Sequence, residues 1–307
     1  MAFNLQNLIT KNSIAKPFLK WAGGKTQLIP QIENYLPLDI KGGKRITYIE
    51  PFIGSGAIFF WFIQRFNVKE AVISDLNADL INVYETIKSI PETLITNLDA
   101  IESDYYALDD EEKKRHFFYN IRDLFNFKTG NKVISAAYFI FLNRTCFNGL
   151  YKVNSKNLFN VPFGKYARPK ISDHINILAV SKLLQNVTIL NGDYTETLKY
   201  ADKNSFFYFD PPYKPISKTA SFNAYAKGQF GDEEQLRLAA FTELLTQQQH
   251  LWLLSNSDPK NINPSDVFFD DLYAKPANTI LRVGAKRMIN ANALKRGEIN
   301  EVLIMNY

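Results

Sequence analysis

The chain has little of the residues that build metal centres and covalent frameworks. Cys146 is the only cysteine, and the three histidines, His116, His174 and His250, are widely spaced. A lone thiol excludes an intrachain disulfide and a cysteine-based structural zinc site, and it fits a reducing compartment. Scattered histidines do not make a His-rich site, so no metal is expected. Long apolar runs are missing too. The longest, residues 52–63 and 133–142, fall short of the about 18–20 residues that cross a bilayer. The amino-terminal MAFNLQNLITKNSIAK lacks the basic start and apolar block of a secretion signal. A cytosolic protein with no membrane partner is expected. No internal repeat or low-complexity linker interrupts the sequence. What is present suits a folded soluble protein: 307 residues, 46% hydrophobic and 22% charged. That length allows one large domain or two small ones, with a sizeable core either way.

Acids are absent from two long stretches. Between Asp123 and Asp173 there is none, while Lys128, Lys132, Arg144, Lys152, Lys156, Lys165, Arg168 and Lys170 all fall there. Between Asp271 and Glu298 stand Lys275, Arg282, Lys286, Arg287, Lys295 and Arg296, again with no acid. The net charge of +5 is modest, so the distribution carries the information. One reading is a pair of solvated basic faces. The other is a polyanion footprint, from which carboxylates are excluded because they repel phosphates. The first stretch interleaves Asn, Phe and Tyr with its bases, a mixture that suits phosphate clamping with base stacking or edge reading.

Short apolar blocks alternate with helical patterns, which predicts an α/β fold with a largely parallel sheet covered by helices on both faces. The expected strands are residues 46–50, 71–75, 187–192, 206–210, 251–255 and 302–306. Helices are expected over 56–66, 78–88 and 233–246, with Asn77 or Asp75 capping the second and Asp232 the third. Residues 92–170 break the alternation. Their first half is charged and helical in pattern; 146–168 is rich in Asn, Gly, Pro and aromatics and reads as a hairpin or loop subdomain. The expected organisation is a catalytic domain of residues 1–91 and 171–307, with 92–170 inserted as a recognition subdomain.

Four motifs bear on chemistry. The first is Asp210, Pro211, Pro212 and Tyr213, directly after the apolar SFFYF. It places a carboxylate at the carboxyl end of a strand, where open α/β sheets bind ligands. Two prolines end the strand and lack backbone donors, leaving carbonyl acceptors presented. With the ring of Tyr213, these groups make an acceptor trap for a planar amine; an ordinary proline turn is the plainer alternative. The second is EPFIGSG at 50–56, between a strand and a helix, whose glycines let a ligand approach the backbone. Asp75, 19 residues after Gly56, is placed to accept hydrogen bonds from ribose hydroxyls. Phe59 stands where a dinucleotide fingerprint needs its third glycine, so the cradle is nucleotide-like and no more. The third is KWAGGKT at 20–26. It is not a P-loop, because Leu19 replaces the required first glycine and no strand precedes it; Lys25 remains a candidate for a carboxylate or other small anion. The fourth is residues 143–166, where Arg144, Lys152, Lys156 and Lys165 are candidates to hold phosphates and Phe147, Tyr151 and Tyr166 to wedge or stack; a solvated loop is the alternative.

The order KWAGGK, EPFIGSG, NRTCFNGLYKVNSKNLFNVPFGKY and DPPY resembles that of the Dam-type DNA adenine methyltransferases. It is closest to the alpha-class (D12) enzymes of bacterial restriction–modification systems that methylate adenine in GATC. The resemblance runs from about Lys16 to the carboxyl end. It implies a Rossmann-like sheet, S-adenosylmethionine as methyl donor, double-stranded DNA as substrate and a partner restriction endonuclease. It carries over Trp21, Lys25, Asp75 and Asp210 as cofactor positions, with Gly54 and Gly56 in the glycine loop and Glu50, Phe52 and Asp193 beside them. Asp210, Pro211, Pro212 and Tyr213 become the catalytic pocket. Lys20, Arg144, Phe147, Asn148, Leu150, Lys152, Pro162, Lys165 and Tyr166 become DNA contacts. Many relatives have Arg where Lys152 stands, and a lysine lacks the bidentate fork that reads guanine. Tyr213, with Phe222 or Tyr225, is expected to stack on a base swung out of the duplex. Asp210 also separates the chain from its rivals, since cytosine enzymes usually carry Ser there and glutamine or RNA enzymes Asn.

Overall fold

The structure is a computed structural model and describes residues 14–21, 25–128, 130–213, 230–286 and 298–307. In chain order the elements are α1 (Ile29–Tyr35), α2 (Leu38–Lys41), β1 (Ile46–Glu50), α3 (Ala57–Arg65), β2 (Val68–Asp75), α4 (Ala78–Ser89), α5 (Pro91–Ala107), α6 (Glu111–Phe127), α7 (Lys132–Thr145), α8 (His174–Leu184), β3 (Val187–Asn191), β4 (Ser205–Phe209), α9 (Asp232–Gln247), β5 (Leu251–Ser257), α10 (Phe268–Leu272), β6 (Thr279–Lys286) and β7 (Glu298–Met305). A 3-10 turn, Lys25–Leu28, precedes α1. The chain divides into two units: residues 1–24, 54–64 and 75–192 make the first, and 25–53, 65–74 and 193–307 the second. Residues 92–170 fall wholly in the first unit, together with 75–91 and 171–192.

The second unit carries the sheet β2-β1-β4-β5-β7-β6. Its first four strands run parallel, with Tyr48 beside Phe206 and Phe207 beside Trp252. β7 then pairs antiparallel with β5, and β6 with β7. Central parallel strands have no wet face, which is why ITYIE and SFFYF are buried at every position. Each buried aromatic there contributes about 1.5–3 kcal/mol relative to exposure. The sequence reading finds six of the seven strands seen among the described residues and overlooks β6. TILRVGAK mixes apolar residues with Arg and Lys, as an antiparallel strand does, and it reads as part of a basic stretch.

The first unit is mostly helical. α7, with Ala136, Ala137, Phe139, Ile140, Phe141 and Leu142 all buried, packs against α4, α5 and α6. Asn77 caps α4, accepting from the backbone N–H groups of Asp79 and Leu80 at 3.1 Å each. Asp75, the alternative cap, turns its carboxylate elsewhere. Asp232 does not cap α9: the cap position is Gly231, and Asp232 opens the first turn with Glu233 and Glu234, where carboxylates favour the helix dipole. No described helix is long and apolar enough to cross a membrane.

Candidate active site

Asp210 follows the last residue of β4 and receives partners from two other parts of the second unit. Its Oδ1 lies 3.2 Å from the Lys25 ammonium and accepts from Ser255 Oγ, on β5, at 3.3 Å. Ser255 also bonds the buried hydroxyl of Tyr208 at 2.8 Å. Lys25 is buried and donates to Glu301 Oε2, on β7, at 2.6 Å. It also donates to the Tyr213 hydroxyl and lies over that ring, 4.3 Å from the centroid. The three ammonium protons of Lys25 are thus matched by three oxygens. Among the described residues, no donor reaches Asp210 Oδ2. The Pro212 carbonyl accepts from Gln235 Nε2 at 3.3 Å, whereas the Pro211 carbonyl has no donor among the described residues. Two neighbouring acceptors in the chain, Asp210 Oδ2 and the Pro211 oxygen, are thus without a donor among the described residues.

Loss of water pushes the Asp210 carboxyl up to about 6, with Glu301 adding to the rise and Lys25 and Ser255 opposing it. Burial works against the charge on Lys25, but Asp210, Tyr213 and Glu301 together hold it above its ordinary value. Burial and the Asp210 charge raise Tyr213. Asp193 is held by Arg237 through both carboxylate oxygens at 2.8 Å and caps the Thr195 N–H at 3.0 Å. Glu50 is buried and accepts from Tyr48 at 2.6 Å. Phe52 sits 5.3 Å from the ring of Tyr194.

The first unit holds the glycine turn. Gly54 has φ +47° and its N–H donates to Asp75 Oδ2 at 3.1 Å, while Asp75 Oδ1 accepts from Asn77 N at 2.9 Å. Burial raises the Asp75 carboxyl, and these backbone donors oppose the rise. A Cβ on Gly54 would sit 3.0 Å from the Trp21 indole, and one on Gly56 (φ +71°) would sit 2.8 Å from the Tyr84 hydroxyl. Trp21 stacks on Tyr151 with centroids 5.9 Å apart, and Tyr151 on Phe139 at 5.1 Å.

Residues 146–168 form an irregular hairpin with bridges Cys146–Phe163 and Val153–Phe159. Phe159, Val161 and Phe163 point inward while Asn160 and Pro162 face out, the period-two alternation of a strand. Phe147, Asn148, Lys152, Pro162 and Lys165 are exposed, and Leu150 is half-buried. Lys20 lies over the Tyr166 ring at 3.9 Å. Burial depresses Lys20, and the neighbouring Arg144 charge depresses it further. Arg144 is half-buried and donates to the Phe18 carbonyl at 2.8 Å.

The acid-free stretches are not acid-free in space. Lys128 pairs with Asp79 at 2.6 Å, Lys165 with Glu111 at 2.7 Å and Lys170 with Asp173 at 2.8 Å. Arg282 binds Asp258 at 3.0 Å and Asp270 at 2.7 Å. Partners arrive from other elements, so a charge run along the chain overstates the free positive surface. Phe222 and Tyr225 lie outside the described residues, as do Ala22, Gly23 and Gly24. The sequence reading misses Glu301, Ser255 and Gln235. Their only signal is a polar residue inside an apolar strand or helix, which does not reveal its partner.

The parallel strands, the glycine turn after β1, the acid closing β2 and the acceptor-rich turn after β4 define a Rossmann-like methyltransferase. Comparison with known proteins narrows this. The profile of the D12 class N6 adenine-specific DNA methyltransferases matches residues 21–289. The chain is 48% identical over 295 residues to the Type II methyltransferase M.MjaIII of Methanocaldococcus jannaschii, covering 95% of this chain and 99% of that one. It is 38% identical to the Type II methyltransferase M1.LlaDCHI of Lactococcus lactis subsp. cremoris, covering 98% and 99%. It is 32% identical to the DNA adenine methylase of Serratia marcescens, covering 94% and 98%. The chain belongs to the D12 class of N6 adenine-specific DNA methyltransferases, and it is an adenine-specific DNA methyltransferase.

Proposed function

We propose that the enzyme methylates the N6 amine of an adenine swung out of double-stranded DNA, in the sequence GATC. S-adenosylmethionine supplies the electrophilic methyl group, whose bonding electrons return to sulfur as it leaves. The reading extends to a cytosolic enzyme that protects DNA from a partner restriction endonuclease, a pairing favoured by relatives named Type II methyltransferases.

The observation that carries this reading is the pair of acceptors, Asp210 Oδ2 and the Pro211 carbonyl, that no donor among the described residues fills. The adenine amine has two N–H donors and a lone pair conjugated into its ring. Accepting both donors draws the nitrogen toward tetrahedral geometry and frees the lone pair. Positive charge grows on nitrogen during transfer, so the acceptors stabilise the transition state more than the ground state. Asp210 is too weak a base to deprotonate a neutral amine first. It takes the proton at Oδ2 after transfer, and a carboxyl raised to about 6 does so more readily than an ordinary one. With Lys25 over one face of Tyr213, the opposite face is the one offered to the purine.

The residues present fit the methyl donor. Gly54 and Gly56 take the positive φ values of a tight turn that a side chain would strain, and the Asp75 oxygens, each holding a backbone N–H, have lone pairs left for a ribose hydroxyl. Leu76 is 74% exposed and gives an apolar wall beside it. Trp21, Gly54, Gly56 and Asp75 are assigned to the donor, together with Glu50, Phe52, Lys25, Asp193 and Asp210. Lys20, Arg144, Phe147, Asn148, Leu150, Lys152, Pro162, Lys165 and Tyr166 are assigned to DNA, with residues 92–170 as the recognition segment of a domain built from the rest.

The test is incubation of the purified enzyme with labelled S-adenosylmethionine and duplexes with or without GATC. Label on N6 of the GATC adenine, abolished in Asp210→Ala while either ligand still binds, is the expected result. Near-normal turnover in that variant removes Asp210 from its role; label at another site removes GATC.

A further inference from the structure

Glu301 stands on β7, far along the chain from the DPPY turn, yet the two meet through Lys25. Its Oε2 accepts from the Lys25 ammonium at 2.6 Å, and its Oε1 lies 3.4 Å from the Tyr213 hydroxyl. Lys25 in turn holds Asp210 Oδ1 at 3.2 Å. The register Ser257–Glu301 fixes the carboxylate to β5, the strand that also supplies Ser255 to Asp210.

We propose that Glu301 is a positioning residue for methyl transfer: acting through Lys25 it anchors Oδ1 of Asp210, so that Oδ2 faces the amine, and its negative charge keeps that carboxylate a strong acceptor. The inference rests on the assignment of Asp210 to the adenine amine.

Two opposed charges act on Asp210. Lys25, with Glu301 removed, would have Asp210 as its one remaining carboxylate among the described residues; a carboxylate paired so closely is a poor acceptor and a poor base. Glu301 shares the ammonium and repels Asp210, offsetting part of that attraction. Among the described residues, the other groups facing Asp210 are Ser255 from β5, Tyr208 within β4 and Tyr213 after it; the Glu50 carboxylate on β1 acts on Tyr208. Among these described groups none adds a positive charge, and Glu301 is the second carboxylate that shares Lys25. Two carboxylates around one ammonium also fix its direction, where one would let it swing.

The experiment uses the full chain, with kcat measured against pH at saturating S-adenosylmethionine and GATC duplex, and KM for each. In Glu301→Gln the repulsion on Asp210 is gone, so the acid limb of the kcat profile should move down by about one pH unit. The plateau should fall about tenfold with both KM values nearly constant, since the transition state alone has lost stabilisation. Glu301→Asp keeps the charge one methylene short of its partner and should recover part of both effects. An acid limb that stays put in Glu301→Gln, or a loss confined to KM, overturns the proposal. If Glu301→Gln does not fold, Glu301→Asp decides: a plateau and limb equal to the parent's overturn it, and a smaller change in the same direction upholds it. Asp210→Ala in the same assay separates the two claims. Activity in that variant defeats the Asp210 assignment; an inactive Asp210→Ala beside an unmoved Glu301→Gln defeats only the role of Glu301.

Discussion

Asn143 clasps Lys20 by both polar groups of its backbone. Its Oδ1 accepts from the Lys20 N–H at 2.8 Å, and its Nδ2 donates to the Lys20 carbonyl at 2.8 Å. The same Nδ2 donates to the Gly149 carbonyl at 2.9 Å. One buried side chain thus ties the KW segment to the end of α7 and to the start of the hairpin. Gly149, at φ +62°, admits this approach: a Cβ there would collide with the Lys20 stem.

Truncating the clasp should damage DNA binding before cofactor binding. Asn143→Ala leaves the backbone of Lys20 and the Gly149 carbonyl without partners, a change expected to cost about 1–3 kcal/mol. Thermal melting should register it. Because Lys20 and the hairpin are the segments assigned to DNA, the Kd for a GATC duplex should rise by more than the Kd for S-adenosylmethionine. Equal effects on both ligands would mean that the clasp serves stability alone.

The glycine turn gives a prediction of the opposite kind. Gly56→Ala forces a Cβ to within 2.8 Å of the Tyr84 hydroxyl at φ +71°. That combination should cost about 1 kcal/mol or more, and the hydroxyl that moves is the one bonded to the Gly54 carbonyl at 3.0 Å. The turn is displaced as a unit, so S-adenosylmethionine affinity should fall about tenfold while duplex affinity holds. Calorimetry on each ligand separately checks this, and unchanged cofactor affinity would remove the turn from the donor site.

The pH dependence of transfer should report Asp210. Its carboxyl is raised to about 6, chiefly by loss of water. Above that pH it is ionised and accepts from the amine; below it the proton sits on the acceptor and the rate falls about tenfold per unit. Lys25 and Tyr213 are both held above their ordinary values and keep their protons across this range. A kcat profile with an acid limb near pH 6, missing from the residual rate of Asp210→Asn, is the expected outcome. A limb that persists in that variant belongs to another group.

Local signals explain what the sequence reveals. β1 and β4 are five-residue apolar blocks, each followed at once by its motif, so strand and site are legible together. The cap of α4 is legible for the same reason, narrowed to Asn77 or Asp75 because a cap lies within a few residues of its partners; the Gly54–Asp75 bond, across 21 residues, is not. Glu301 is not, because its bond to Lys25 joins residues 276 apart. The same distance misleads the charge argument. Lys128 and Lys165 look unopposed along the chain, but helices α4 and α6 bring Asp79 and Glu111 to them. Sequence nominates candidate residues; the topology decides which of them remain free.

Lys152 is the sharpest test of sequence choice. It is exposed on the hairpin, and no ion pair holds it among the described residues, unlike Lys165 with Glu111. As a base reader it should contribute about 1–3 kcal/mol of discrimination at a single position of the site. Lys152→Ala should therefore relax methylation toward sites altered at that one position. Lys152→Arg, which restores a bidentate fork, should sharpen preference for guanine there. If Lys152 holds only a phosphate, Lys152→Ala weakens binding evenly across sequences and lowers the salt dependence by about one ion. Sequencing methylated DNA from cells that express each variant distinguishes the two: a changed site shows that Lys152 reads a base, and the same site at lower occupancy confines it to the backbone.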